Sequence, residues 1–134
     1  MRQHRPVLTL GAVLAAAVAV VGCGTGAPDD AEARAVVTTF IDQLRTGQID
    51  AAWESTTSDF KSDEGRESFR KYVKGKQVLA GPLEIVELKQ VEVHGLTRWE
   101  AVLHPPSDAK SPATVRTMIA EEGGAWKVER LVVE

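Results

Sequence analysis

Apolar residues recur at helical spacing up to about residue 75 and at a spacing of two from Leu83 to the C-terminus. In the first region Val36, Val37, Phe40, Ile41 and Leu44 form one stripe. They predict a helix that opens near Asp29 and Asp30, where carboxylates suit both the cap and the helix dipole, and stops at Gly47. A short helical turn is expected from Asp50 through Trp53, with Phe60 in the loop that follows. A further helix is expected from about Asp63, showing Phe69, Tyr72 and Val73 on one face and ending at Gly75.

In the second region Gly81-Pro82 opens the run Leu83–Val93, Gly95 separates it from Thr97–His104, and Pro105-Pro106 starts a polar loop ending near Pro112. Ala113–Glu121 and Trp126–Val133 are joined by Gly123-Gly124. If that pair is a two-residue hairpin loop, Ile119 lies opposite Val128 and Val115 opposite Val132, with apolar residues sharing one face. The same register sets Arg130 opposite Thr117 on the apolar face. For the first hairpin, a three-residue loop His94-Gly95-Leu96 places Val91 opposite Trp99 and Glu92 opposite Arg98. The alternation slips between Ile85 and Val86, which predicts a bulge. The expected fold is α+β: N-terminal helices on the concave face of a curved antiparallel sheet of about four strands.

Ahead of the domain lies a different pattern. Arg2, His4 and Arg5 give a basic start, and Val7–Val21 is apolar apart from Thr9 and rich in Ala and Val. This stretch is shorter than the roughly 20 apolar residues a spanning helix needs, and reads as the core of a signal peptide over residues 1–22. Val20-Val21-Gly22-Cys23 looks like a bacterial lipobox, with a small residue before the cut and a thiol that takes a diacylglycerol. The chain has one cysteine, so no internal disulfide can form. Fatty-acyl chains such as palmitate contribute about 0.8 kcal/mol per buried CH₂, and two or three of them on Cys23 make a lasting anchor. Residues 23–30 then form the acylated cysteine and a flexible tether, and residues 31–134 the domain. Seven residues after the cysteine reach at most about 25 Å, which keeps the domain near the cell membrane or outer membrane, on its extracytoplasmic face.

Composition sharpens this picture modestly. With 43% hydrophobic and 26% charged residues in 134, the chain has the make-up of one ordinary globular domain. Its formal charge of −3 becomes −5 once Arg2 and Arg5 leave with the leader, which disfavours nucleic acid as a partner.

The order of elements, the segment Gly47-Gln48-Ile49-Asp50-Ala51-Ala52-Trp53, the Phe69 helix and the closing run Trp126-Lys127-Val128-Glu129-Arg130-Leu131-Val132-Val133 together resemble the NTF2-like (cystatin-like) superfamily, in particular its small bacterial lipoproteins. The resemblance covers about residues 31–134 and rests on element order and spacing. It implies a cone-shaped α+β fold, and it spans isomerases, dehydratases and polyketide cyclases as well as domains that only bind.

Arg130 is the most informative candidate, because a charge on an apolar sheet face must find a partner or reach water. With Thr117, Trp99, Tyr72 and His104 it makes up the expected pocket lining. His94 falls at a turn. The two histidines of the domain lack metal-ligand spacing, and the acidic group Asp59, Asp63, Glu64 and Glu67 lacks that of a calcium loop, so no metal or cofactor is expected. No nucleophile elbow or phosphate loop occurs. The leading expectation is therefore a membrane-tethered, non-enzymatic interaction domain. The alternative is a small pocket enzyme or ligand carrier of the isomerase/dehydratase type, and an exposed apolar sheet face would also suit a homodimer.

Overall fold

A computed structural model describes residues 30–106 and 113–134. The expected signal peptide, Cys23 and the tether up to residue 29 lie outside the described residues, as does most of the polar loop before Pro112. Helix α1 spans Asp30–Arg45, α2 Ile49–Glu54, α3 Ser58–Asp63 and α4 Arg66–Lys74, and a 3₁₀ turn follows at Gln77–Ala80. Four strands complete the chain: β1 Glu84–Val93, β2 Leu96–His104, β3 Val115–Glu122 and β4 Ala125–Val133. They form one open antiparallel sheet in the order β1-β2-β3-β4.

The helices pack on one face of this sheet, so the α+β reading holds. The expected stripe on α1 is buried through Val37, Phe40, Ile41 and Leu44, joined by Ala33. Phe69 of α4 stacks on Phe40 and meets Phe60 edge-on, with ring centroids 6.4 and 5.4 Å apart. These rings lie over Ala101, Leu103, Val115, Ile119 and Val128 of the sheet. Full burial of each large apolar side chain contributes about 1.5–3 kcal/mol, so this layer dominates the fold. Phe60 is not in a loop, as the sequence suggested. Thr57 caps a short helix there, its Oγ1 accepting from the Phe60 N–H at 3.2 Å.

Three features of the sheet are decided locally. The first hairpin turns on His94 and Gly95 alone, both at positive φ (52° and 76°), with Val93 opposite Leu96. The expected three-residue loop is thereby corrected, and Gln90 rather than Val91 faces Trp99. Both turn positions have the left-handed geometry of a primed turn, and histidine enters that region more readily than most residues. Parity alone misled, because the apolar side of β1 changes along its length. Ile85 and Leu88 face the helices, whereas Val91 and Val93 face away, opposite Arg98 and Leu96.

The second feature is the expected slip in β1. The ladder skips Val86 between Ile85 and Glu87, leaving Val86 54% exposed.

The third lies in β4. Ile119 pairs with Val128 as expected, but Met118 then pairs with Arg130, Thr117 with Leu131 and Val115 with Val133. A bulge at Glu129 thus overturns the expected Arg130–Thr117 and Val132–Val115 pairs. An unbroken ladder would have pushed a guanidinium into the helix-covered core, a costly burial, and the bulge brings Leu131 there instead.

Candidate functional site

Both bulge residues turn to the face away from the helices, and Glu129 has a task there. Its carboxylate accepts two hydrogen bonds from Arg98, at 2.5 and 3.1 Å. Extending the β2–β3 register by one position sets Ala120 between Arg98 and β4. Its small side chain lets the pair span two strand spacings, roughly 9–10 Å, over its methyl group. Ala120 is accordingly buried on a face that has no helix above it. The Arg98 side chain keeps 13% of its exposure and that of Glu129 20%, the most sheltered ion pair among the described residues. Hydrogen bonding to Glu129 raises the Arg98 pKa and holds the guanidinium charged.

Much of the rest of this face is charged. Lys89 meets Glu87 and Glu100, Arg116 meets Glu100 and Glu134, and Lys127 meets Glu122. Arg130 is exposed on it. His104 is exposed at the far end of β2, its Nε2 3.4 Å from Thr114 Oγ1. Neither residue joins the other expected pocket positions.

Trp99 and Thr117 do lie on the helix-covered side, one step apart on neighbouring strands. Both are buried, and neither Trp99 Nε1 nor Thr117 Oγ1 has a hydrogen-bond partner among the described residues. Tyr72 lies on the same side. Its Oη accepts a 3.0 Å hydrogen bond from the Val133 N–H, and its ring lines a cleft of about 90 Å³ with Phe60, Phe69 and Leu131. A larger groove of about 300 Å³ runs between α1 and β4, walled by Val36, Phe40, Gln43, Ser55, Trp126 and Val128. That is the low end of the range for small-molecule sites, and no charged side chain lines it. Trp126 forms part of this wall and lies outside the five expected pocket positions.

The helical corner beside these clefts is held by charge. Trp53 lies between Arg66 and Lys61, whose cationic groups are 4.9 and 5.5 Å from its ring, and its Nε1 donates to the Glu64 carbonyl at 2.8 Å. Arg66 also pairs with Glu54. Arg70 binds both oxygens of Asp50, and this hydrogen bonding lowers the Asp50 pKa below the ordinary carboxylate value. Of the acidic residues around Phe60, Glu67 also meets Arg70, and among the described residues no group of three potential metal ligands comes together.

The outer margins of the sheet differ. In a two-residue hairpin the residues flanking the turn exchange both backbone hydrogen bonds, and alternate residues then point outward. On β4 this rule turns Trp126, Val128, Leu131 and Val133 away from β3, and Val128 and Val133 are engaged by the helical layer. Val128 O accepts from the Thr57 N–H at 3.0 Å, and the Val133 N–H meets Tyr72. Ser58 adds a clamp, its N–H and Oγ donating to the Glu122 carboxylate at 2.8 and 3.0 Å. These bonds, led by the one from the Ser58 backbone, lower the Glu122 pKa below the ordinary glutamate value. On β1 the rule points Leu88, Gln90 and Glu92 outward, and among the described residues no backbone group pairs with them there.

No helix among the described residues is long and apolar enough to cross a membrane. No protein-family model matches the chain, and no curated protein matches it at a significant level, so its folded residues carry the functional reading by themselves.

Proposed function

We propose that this chain is an extracytoplasmic lipoprotein, tethered through Cys23, whose single NTF2-like domain binds a partner rather than catalysing a reaction. The observation that carries the reading is positional. The only cysteine closes a basic-then-apolar leader and stands seven residues ahead of Asp30, where the described helix α1 opens. A permanent hydrocarbon anchor followed by a short tether suits a module that works at a membrane surface. The binding role is supported by the dispersal of the titratable candidates, with Arg130 and His104 exposed and Tyr72 occupied by the backbone of β4.

A second reading, a carrier for a small neutral ligand, is favoured by the uncharged groove beside Phe40 and Trp126. Metabolic labelling with radioactive palmitate tests the anchor. The full-length protein takes up label and partitions into detergent, whereas Cys23→Ser does neither. Undiminished label in the variant contradicts the proposal.

A further inference from the structure

From the open margin of β1 we infer that this strand is a docking site for an extended segment of another protein, one in which basic and apolar residues alternate. The inference rests on the reading of the domain as a binding module but not on its lipid anchor.

An uncovered strand edge is a template for another strand, and natural sheets usually blunt it with bulges, proline or charge. On β1 the bulge at Val86 does so at one end only. From Leu88 to Val93 the register is unbroken, there is no proline, and three consecutive outward positions have N–H and C=O groups that no described residue engages. Beyond Leu88 the helical layer leaves this stretch open, since Gln90 and Glu92 are exposed although they lie on its side of the sheet. On the other face Val91 and Val93 adjoin Leu96, which is 60% exposed, so an added strand would find apolar neighbours there. Strand addition draws its affinity from main-chain bonds and its specificity from such alternating contacts.

Charge selects the occupant. The strand carries Glu84, Glu87 and Glu92 against the single Lys89, which already meets Glu87 and Glu100. Neither Glu84 nor Glu92 has an ion-pair partner among the described residues. A second copy of this stretch would bring only a lysine already engaged by Glu87 and Glu100 and no free base for Glu92, whereas lysine or arginine on an incoming strand would be attracted to it.

The test uses the full-length protein in detergent and three capped octapeptides: alternating Lys-Val, alternating Glu-Val, and Lys-Val methylated on alternate backbone nitrogens. The Lys-Val peptide is expected to bind and to slow amide exchange at Leu88, Gln90 and Glu92 by about tenfold or more, as groups gaining one hydrogen bond each should. The methylated and acidic peptides are expected to bind at least about tenfold more weakly. Gln90→Pro removes an outward N–H without touching the bonds to β2, so it keeps the fold and loses the peptide. Cys23→Ser leaves peptide binding intact, which separates this site from the anchor. Equal binding of the methylated peptide, undiminished binding by Gln90→Pro, or self-association of the protein through β1 would overturn the proposal.

Discussion

β4 and β1 bound the same sheet on opposite sides, yet the helical layer bonds to the margin of β4 and, among the described residues, nothing bonds to that of β1. The backbone of β4 is met by the Thr57 N–H and by Tyr72 Oη, and its hairpin is clamped by Ser58. β1 is longer, and its outward groups at Leu88, Gln90 and Glu92 have no such cover among the described residues. The difference is set by connectivity. The helices α2, α3 and α4 precede the sheet and lean towards its last strand, with Thr57 at the start of α3 and Tyr72 within α4. Folding stability is therefore invested on the β4 side, and the backbone available for recognition is left on the β1 side.

The contrast is broken most severely through Phe69, which is 1% exposed and locks α4 against Phe40 and Phe60. Phe69→Ala should cost about 3–5 kcal/mol, read as a lowered urea midpoint, because it opens a cavity under the sealing helices. Next comes Arg98→Met, which strands the half-buried Glu129 carboxylate. A loss of about 1–3 kcal/mol is expected, and the double variant with Glu129→Leu should recover part of it. Tyr72→Phe keeps the ring and removes only the acceptor for the Val133 N–H, for about 1 kcal/mol. Its amide exchange at Val133 should rise while that at Gln90 stays unchanged.

The Ser58 clamp gives the sealed side a pH dependence. Glu122 titrates below the ordinary glutamate value in the folded protein, so its stabilising effect is complete above that ordinary value and fades as pH falls through the lowered one. Acid should thus weaken the protein, and Glu122→Gln should flatten that part of the curve of unfolding midpoint against pH. The smallest effect belongs to the open side. Gln90→Pro should shift stability by no more than about 0.5 kcal/mol, because the N–H it removes is unpaired.

Much of this architecture was legible in the residues. The stripe on α1, the Phe69 face of α4, the slip at Val86 and the Ile119–Val128 pair follow from spacing and turn chemistry alone. What escaped was decided by single residues answering tertiary demands. His94 took a left-handed conformation and shortened its loop, and an extra residue at Glu129 flipped every position after it. The signal for the second lay in the sequence: keeping Arg130 on the apolar face violated the cost of burying charge, and Leu131 stood ready beside it. Of the five expected pocket residues, Trp99, Thr117 and Tyr72 share the helix-covered side, while that bulge and the strand end carried Arg130 and His104 away. The open margin of β1 was not legible, because edge or centre is a property of strand order and no periodicity encodes it.

Amide hydrogen exchange at Val133 and Gln90 in one sample of the free protein probes the asymmetry most directly, since both N–H groups point away from the neighbouring strand. The account predicts slow exchange at Val133, held by Tyr72, and fast exchange at Gln90. Equal protection at the two positions would mean that the β1 margin is already covered and would contradict it.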